Sequence, residues 1–299
     1  MKVDETGRNS LFVLTGSAQF EMLTQVNQSL AGRTALLRLL PFSLEELGPR
    51  CPSDIDAILR KGFYPRIYDQ ELNPTQFYGD YLQTYVERDL RQLIEIHRLS
   101  QFQRFLRLCA ARVGQLLNLE SLGADAGVSG VTIRHWLSVL EASFVVALLQ
   151  PWHENTGKRL IKTPKLYFYD VGLAAYLCGI ETDSHVANHP LRGNLFENMV
   201  VIEAFKRRYN QGNQAGLCFY RDSTGLEIDL FYPDGPRFIP VEIKSAQTLH
   251  SGFFDALGKI QTLLPQRCAE GRLVYGGAEP QTRSQARALP FADFAASLP

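Results

Sequence analysis

Apolar and polar residues alternate most regularly near the C-terminal end of the chain, in residues 226–232 and again in residues 241–244. A period of two is typical of a β-strand with one buried face. The stretch between them contains Pro233-Asp-Gly-Pro236, which is strong turn chemistry. The pattern therefore predicts a β-hairpin in which Glu227 and Asp229 share one face of the first strand, and Glu242 and Lys244 share one face of the second.

These charges form a candidate metal site if the polar faces of the two strands point the same way. Two or three carboxylates and one ammonium group would then converge at the end of the hairpin. Mg²⁺ binds proteins through one or two carboxylates and keeps several of its waters. The ammonium group can orient an attacking water or offset charge that builds on a phosphate. We therefore expect Mg²⁺ as a candidate cofactor, with Asp229 and Glu242 as its ligands.

The hairpin resembles the PD-(D/E)xK nuclease superfamily, which has the restriction-endonuclease-like fold. Asp229 matches the first acid of that motif, and Glu242-Ile-Lys244 matches its Glu-x-Lys. The superfamily takes a further acid from the preceding helix, where Glu197 stands, whereas the literal Pro233-Asp234 lies in the turn. The resemblance implies catalytic roles for Glu197, Asp229, Glu242 and Lys244. The alternative from the residues alone is a surface hairpin whose charges face water.

A second informative pattern covers residues 116–170. Residues 119–127 and 131–141 have helical spacing and are separated by the turn Val128-Ser-Gly130, and residues 144–149 and 165–169 read as strands. This order predicts a winged helix-turn-helix. The second helix is expected to bury the apolar residues Ile133, Trp136, Leu137 and Leu140.

A winged helix that binds DNA places its second helix in the major groove. The segment between the two strands carries several cations, and cations suit the phosphates that dominate non-specific affinity. The candidate nucleic-acid-binding residues are Arg134, His135, Lys158, Arg159, Lys162 and Lys165. The second helix has one fixed positive charge, so a protein–protein module stays open as the alternative.

The N-terminal residues predict two buried strands, 10–17 and 35–40, around a helix at about 19–30. Three phrases, Leu14-Thr-Gly-Ser17, Ser29-Leu-Ala-Gly-Arg33 and Leu39-Leu-Pro-Phe-Ser-Leu-Glu-Glu46, resemble the end of an AAA-type ATPase core. The resemblance is to bacterial and archaeal ATPases that pair this core with a C-terminal domain of unknown function. It implies that Thr15 matches a polar nucleotide sensor and Arg33 a basic residue near the nucleotide.

The phosphate-binding part of such a core is missing from these residues. No Gly-x-x-x-x-Gly-Lys-[Ser/Thr] occurs in the sequence. ATP phosphates are held by the backbone amides and the lysine of that loop, so we expect no ATP binding to this chain. The N-terminal residues are interpreted as the remnant of a truncated AAA core. Its apolar strands predict an exposed patch that promotes self-association.

Composition limits the remaining choices. The 299 residues carry 31 basic and 31 acidic side chains, so nucleic-acid binding has to come from local patches. The five cysteines are scattered, which argues against a zinc site or a disulfide framework and fits a reducing cytoplasm. No apolar run is long enough for a membrane span. We therefore expect a cytoplasmic protein without a membrane partner.

Together these patterns predict an α/β multidomain chain. Its domains are an AAA-core remnant (residues 1–47), a helical and winged-helix domain (48–180) and a restriction-endonuclease-like α/β domain (181–299). The leading interpretation is a fragment of an AAA-family ATPase that binds nucleic acid, with DNA as the expected partner, and that cleaves phosphodiester bonds with Mg²⁺. The alternative is a non-catalytic regulatory or interaction module that retains an inactive nuclease-like fold.

Overall fold

The computed structural model describes residues 37–86, 99–152, 162–283 and 286–299. These all belong to one compact unit, Leu37–Pro299. The predictions for Thr15 and Arg33, and those for Lys158 and Arg159, lie outside the described residues. No helix of the described residues is long and apolar enough to cross a membrane.

The unit is mixed α/β, as expected. Its helices are α1 (Leu44–Leu47), α2 (Ile55–Lys61), α3 (Pro65–Asp69), α4 (Pro74–Tyr81), α5 (Leu99–Ala110), α6 (Leu119–Ala126), α7 (Gly130–Ala142), α8 (Val171–Leu177), α9 (Asp183–Asn188), α10 (Arg192–Asn210), α11 (Asp255–Leu263) and α12 (Phe291–Phe294). Its strands are β1 (Val146–Pro151), β2 (Lys165–Phe168), β3 (Cys218–Arg221), β4 (Glu227–Asp234), β5 (Arg237–Lys244), β6 (Gly271–Tyr275), β7 (Gln281–Thr282) and β8 (Ala286–Pro290).

Helices α6 and α7 meet at the short turn that the sequence predicts. Gly127 ends α6 in the left-handed region with φ of 75°, which a glycine adopts without steric cost. The side chain of Ser129 caps α7 by accepting a hydrogen bond from the N–H of Thr132. The close approach of the two helices needs Gly123, because a Cβ there would lie 2.8 Å from the carbonyl oxygen of Val128. The apolar face predicted for α7 is buried.

The eight strands found among the described residues form a single sheet in the order β2-β1-β3-β4-β5-β6-β8-β7. The hairpin β4–β5 is antiparallel, as predicted, with Leu230 opposite Val241. The hairpin β1–β2, expected as a separate wing, continues the same sheet because β1 pairs in parallel with β3. The N–H of Trp152 extends this pairing by donating to the carbonyl oxygen of Phe219 at 2.7 Å.

Helices cover this sheet and carry the side chains that matter for function. Helix α10 contacts β2, β4 and β5, while α11 contacts β4, β5 and β6. An apolar core joins α11 to the strands through residues such as Leu257, Ile260, Phe231 and Leu273. Burial of this apolar area is the main term that holds the helices on the sheet.

Helix α1 and its N-cap residue Ser43 pack with the unit that follows them, although the domain boundary predicted from the sequence places residues up to 47 in the N-terminal remnant. Ser43 and Glu46 form a capping box at the start of α1. Leu47 is buried, and the N–H of Leu44 donates to Oε2 of Glu203 on α10 at 2.9 Å. Residues 42–47 therefore contribute buried contacts to the C-terminal part of the chain.

Two further features were not predicted. The polar stretch 181–192, expected as a linker, contains α9, whose first turn is capped by Thr182. Strands β7 and β8 extend the sheet beyond β6. Both are short and have weak periodicity, so the pattern of residues alone does not distinguish them from loops.

Candidate functional site: a buried acidic cluster

Asp229, Glu242 and Lys244 are brought together by the hairpin β4–β5. Extending the register from Leu230 and Val241 by one residue places Asp229 opposite Glu242. The Nζ atom of Lys244 lies 2.9 Å from Oε2 of Glu242 and 3.8 Å from Oδ2 of Asp229. Both carboxylates therefore face one ammonium group, although Asp229 and Glu242 are 8% and 5% exposed.

A β-bulge lies in the interval of β4 that contains Asp229 and Leu230. Along β3 and β4, Cys218 pairs with Phe231 while Tyr220 pairs with Ile228, so β4 has one extra residue in this interval. Bulges locally bend a strand and redirect a side chain. The carboxylate of Asp229 is fixed there because its Oδ2 accepts a hydrogen bond from the N–H of Ile243 at 2.8 Å.

Glu197 reaches the same region from the first turns of α10. Its Oε1 accepts hydrogen bonds from Nζ of Lys165 at 3.0 Å and from the hydroxyl of Tyr167 at 2.6 Å. Both donors stand on β2, two residues apart and therefore on one face of that strand. The structure thus places Glu197 of α10 near the acids of the hairpin, where residues of β2 hold it.

Lys165 corrects one expectation drawn from the sequence. It was expected on an exposed wing facing phosphates, but it is 2% exposed. Its Nζ lies 2.6 Å from Oε1 of Glu227, 3.0 Å from Oε1 of Glu197 and 3.8 Å from Oδ1 of Asp229. Because β1–β2 joins the main sheet, Lys165 points into the carboxylates and is not available to an external anion.

We call these residues together the acidic cluster: Glu197, Glu227, Asp229, Glu242, Lys165 and Lys244. Arg221 lies at its edge and pairs with Oε2 of Glu227 at 2.9 Å. Sequence reasoning missed Lys165, Tyr167 and Arg221 as members. Period-two spacing puts Lys165 and Tyr167 on one face of β2, but nothing in the sequence shows which carboxylates that face meets.

Crowding and burial shift the proton affinities of the cluster. Burial, followed by the charge of Asp229, raises the pKa of Glu242 to about 8. The same two causes raise the pKa of Glu197 to about 7, although Lys165 opposes them. Burial lowers the pKa of Lys244, but Asp229 and Glu242 outweigh it and leave that pKa raised. Two carboxyl groups of the cluster therefore exchange protons near neutral pH.

The donor set is compatible in type with Mg²⁺, which needs only one or two carboxylates and water. Asp229 and Glu242 supply two carboxylates on neighbouring strands. Within the described ranges, no three His, Cys, Asp or Glu side chains are placed to share one metal ion. The ammonium group of Lys244 lies where the two carboxylates converge, so a cation there has to share the space with it.

Three other candidate nucleic-acid-binding residues in the described ranges, Arg134, His135 and Lys162, are not members of this cluster. Arg134 and His135 are exposed on α7, and Lys162 is exposed just before β2. Val131, at the start of the same helix, is 81% exposed. The exposed side of α7 thus combines one cation, one imidazole and one apolar side chain.

Comparison with known families gives three matches along the chain. Residues 2–48 match the AAA domain, residues 52–184 match a domain of unknown function (DUF8612), and residues 192–294 match another domain of unknown function (DUF4143). Lys165 and Tyr167 fall in the second match, whereas Glu197, Glu227, Asp229, Glu242 and Lys244 fall in the third.

Two curated relatives are uncharacterized proteins of Mycobacterium tuberculosis and Mycobacterium bovis. Each is 28% identical over 248 residues, which is 82% of this chain. The chain spans 55%, about half, of the length of each relative. The match of residues 2–48, together with the DUF4143 match, supports a relationship between this chain and the AAA family.

Proposed function

We propose that this AAA-related chain binds nucleic acid and cleaves phosphodiester bonds at the acidic cluster in a Mg²⁺-dependent reaction. The observation that carries the proposal is the convergence of Asp229 and Glu242 on the ammonium group of Lys244. Glu197 stands next to them, linked through Lys165. An acid on each of two paired strands, a lysine two residues after the second acid and a helix acid are the set that the nuclease resemblance implies.

Each residue has a role that its surroundings support. Mg²⁺, held by Asp229 and Glu242, would supply a Lewis acid and lower the pKa of a bound water. Lys244 has a side chain that is 34% exposed, so its ammonium group can reach a phosphate or an attacking water at the surface. Glu197, with a pKa of about 7, can accept a proton at neutral pH.

The order of elements supports the scaffold part of the proposal. Helix α10, strands β3–β5, helix α11 and strand β6 follow the order helix, three strands, helix, strand that the nuclease-like fold requires. Helices α5–α7 and the hairpin β1–β2 follow the order of a winged helix. In this assignment α7 is the recognition helix, and Arg134, His135 and Lys162 contact the nucleic acid.

A cleavage assay tests the proposal. The substrates are supercoiled plasmid, single-stranded DNA and RNA, each with and without Mg²⁺. The variants Asp229→Asn, Glu242→Gln and Lys244→Met should lower the rate by about 10²-fold or more, in the range typical of positioned catalytic groups. Asp234→Asn is the matched control, because Asp234 lies at the far end of the same hairpin, opposite Arg237. Cleavage that is independent of Mg²⁺, or equal in all four variants, would contradict the proposal.

A non-catalytic interaction module is the second candidate. The observation that favours it is that Lys165 and Lys244 already pair with the carboxylates. On this alternative, the ion pairs hold the sheet together and divalent cations do not bind. The two functions differ in a titration with Mg²⁺, since only the first predicts saturable binding that depends on Asp229 and Glu242.

The AAA-related part is proposed not to bind ATP, because the sequence contains no phosphate-binding loop. Calorimetry with Mg-ATP should show no saturable heat. A site with micromolar affinity would contradict this part of the proposal and leave the account of the acidic cluster unaffected.

A further inference from the structure

Lys165 is the more deeply buried of the two lysines in the acidic cluster. Its side chain is 3% exposed, compared with 34% for Lys244. A buried ammonium group is costly unless carboxylates compensate it, and Lys165 has three within 3.8 Å. Its contacts with Glu197, Glu227 and Asp229 join three separate elements, namely α10, β4 and its own strand β2.

The three carboxylates differ in how much they depend on Lys165. Glu227 has a second cation, because Arg221 lies 2.9 Å from its other oxygen. Asp229 also accepts the N–H of Ile243 and lies near Lys244. Glu197 receives Lys165 and the Tyr167 hydroxyl on the same oxygen, Oε1. Of these three, Glu197 is therefore the carboxylate that depends most on the ammonium group of Lys165.

The contacts of Lys165 also join two regions of the chain that match different families. The strand that carries it belongs to the match at residues 52–184, whereas its three carboxylate partners belong to the match at 192–294. The nuclease-like motif of the hairpin thus obtains a buried cation from the preceding region. The two regions share the sheet through the parallel pairing of β1 with β3.

We propose that Lys165 is a positioning residue of the acidic cluster, a built-in counter-cation from β2 that holds Glu197 and Glu227 beside Asp229 and makes the site composite between the two matched regions. The inference deepens the proposed cation site but rests on it only in the second of the two tests below. The first test concerns the ion pairs themselves and needs neither substrate nor metal.

A double-mutant cycle gives the first test, with the full chain and a chelator. Lys165→Met keeps the apolar stem and removes the charge, so Glu197, whose side chain is 15% exposed, loses this cation. The midpoint of thermal unfolding should fall by on the order of 10 °C. Glu197→Gln should cost less, because Lys165 retains Glu227 and Asp229. The double variant Lys165→Met/Glu197→Gln should recover most of the loss.

Additive losses in this cycle would overturn the proposal, because they would show that Lys165 and Glu197 do not depend on each other. If Lys165→Met does not fold but the double variant does, the result supports the proposal even more strongly. A double variant that also fails to fold counts as additive loss.

Calorimetric titration with Mn²⁺ gives the second test, which a purely structural role would not affect. The double variant differs from Glu197→Gln only at Lys165, whose ammonium group lies 3.8 Å from Oδ1 of Asp229. Without this like charge, Mn²⁺ should bind about threefold more tightly or better. Equal affinities would contradict the assignment of Lys165 to the cation site. If no chain binds Mn²⁺, including the wild type, the proposed function fails and the unfolding cycle alone decides the inference.

Discussion

Helix α10 carries buried charge in two places that differ in balance. Near its start, Glu197 enters the acidic cluster, in which four carboxylates share two lysines. Two turns later, Glu203 and Lys206 form a pair with one charge of each sign. The Glu203–Lys206 pair is fully buried, and Lys165, Asp229 and Glu242 of the cluster are buried as well, so burial alone does not separate structure from function.

Both side chains of the Glu203–Lys206 pair have hydrogen-bond partners among the described residues. Nζ of Lys206 lies 2.7 Å from Oε1 of Glu203 and donates to the carbonyl oxygen of Phe42 at 2.7 Å. The same ammonium group lies 3.9 Å from the centre of the Phe63 ring. The other oxygen of Glu203 accepts the N–H of Leu44. These bonds tie the segment before α1 to α10, which is an architectural role.

The acidic cluster has an excess of carboxylates over lysines, and burial intensifies their repulsion. Consequently the pKa values of Glu197 and Glu242 are raised to about 7 and about 8. Such a site gains by taking up protons or a cation. The Glu203–Lys206 pair and the acidic cluster thus differ in charge balance. The balance between a buried charged group and its partners indicates whether the group stabilises the fold or is suited to chemistry.

The largest expected effect is on the balanced pair. Lys206→Met leaves Glu203 buried without its cation, so the free energy of unfolding should fall by about 3–5 kcal/mol. Urea unfolding at pH 7 measures it. The double variant Lys206→Met/Glu203→Gln should recover part of the loss, and Mn²⁺ affinity should stay unchanged. If the free energy of unfolding falls by less than about 1 kcal/mol, the Glu203–Lys206 pair does not have the structural role that distinguishes it from the acidic cluster.

A smaller effect, of opposite sign, is expected in the cluster. Burial gives Glu242 a pKa of about 8 in the folded chain against a usual 4.5, so protonation favours the folded state. The stability from this group is fully present below pH ~4.5 and is lost as the pH rises through about 8.

In a chelator, the free energy of unfolding of the wild type should therefore fall as the pH rises from ~5 through ~8. Glu242→Gln cannot ionise, so its decline should be flatter, and it should exceed the wild type in stability at the alkaline end. Glu197 adds a further decline that the variant retains. If the pH profiles of the wild type and Glu242→Gln run parallel, ionisation of Glu242 does not destabilise the folded chain.

The smallest effect on stability is expected for exposed charge. Arg134 is exposed on α7, so Arg134→Ala should leave thermal unfolding nearly unchanged. Affinity for DNA should instead decrease for every sequence, and the slope against salt should fall by roughly 0.9 for each phosphate that the protein no longer neutralises. Glu120→Ala, at an exposed acid of α6, is the control. An unchanged salt slope would place the nucleic-acid interface elsewhere.

Local sequence patterns predicted those parts of the structure that depend on residues close together in the chain. Period-two alternation and the Pro-Asp-Gly-Pro turn gave the hairpin, and with it the common face of Glu242 and Lys244. Helical spacing gave the buried face of α7. The bulge next to Asp229, in the interval that also contains Leu230, was not predictable, because it depends on how β4 pairs with β3.

Long-range partners account for the rest. Lys165 meets carboxylates 32 to 64 positions away along the chain, and an exposed cation and a buried one look alike in sequence. The parallel pairing of β1 with β3, which turns the expected wing into part of the main sheet, is equally non-local. The packing of α1 against α10 is also non-local, because the N–H of Leu44 meets Glu203, 159 positions away along the chain.

Calorimetric titration of Mg²⁺ into the full chain tests the central claim, that the acidic cluster is a divalent-cation site, most directly. The wild type and the control Asp234→Asn should bind Mg²⁺ with the same saturable heat. Asp229→Ala and Glu242→Gln should weaken binding by about tenfold or more, about 1.4 kcal/mol, because each removes one of the two carboxylates available to the ion. No binding by the wild type, or binding that is unaffected by Asp229→Ala and Glu242→Gln, would contradict the account and leave the cluster with an architectural role only.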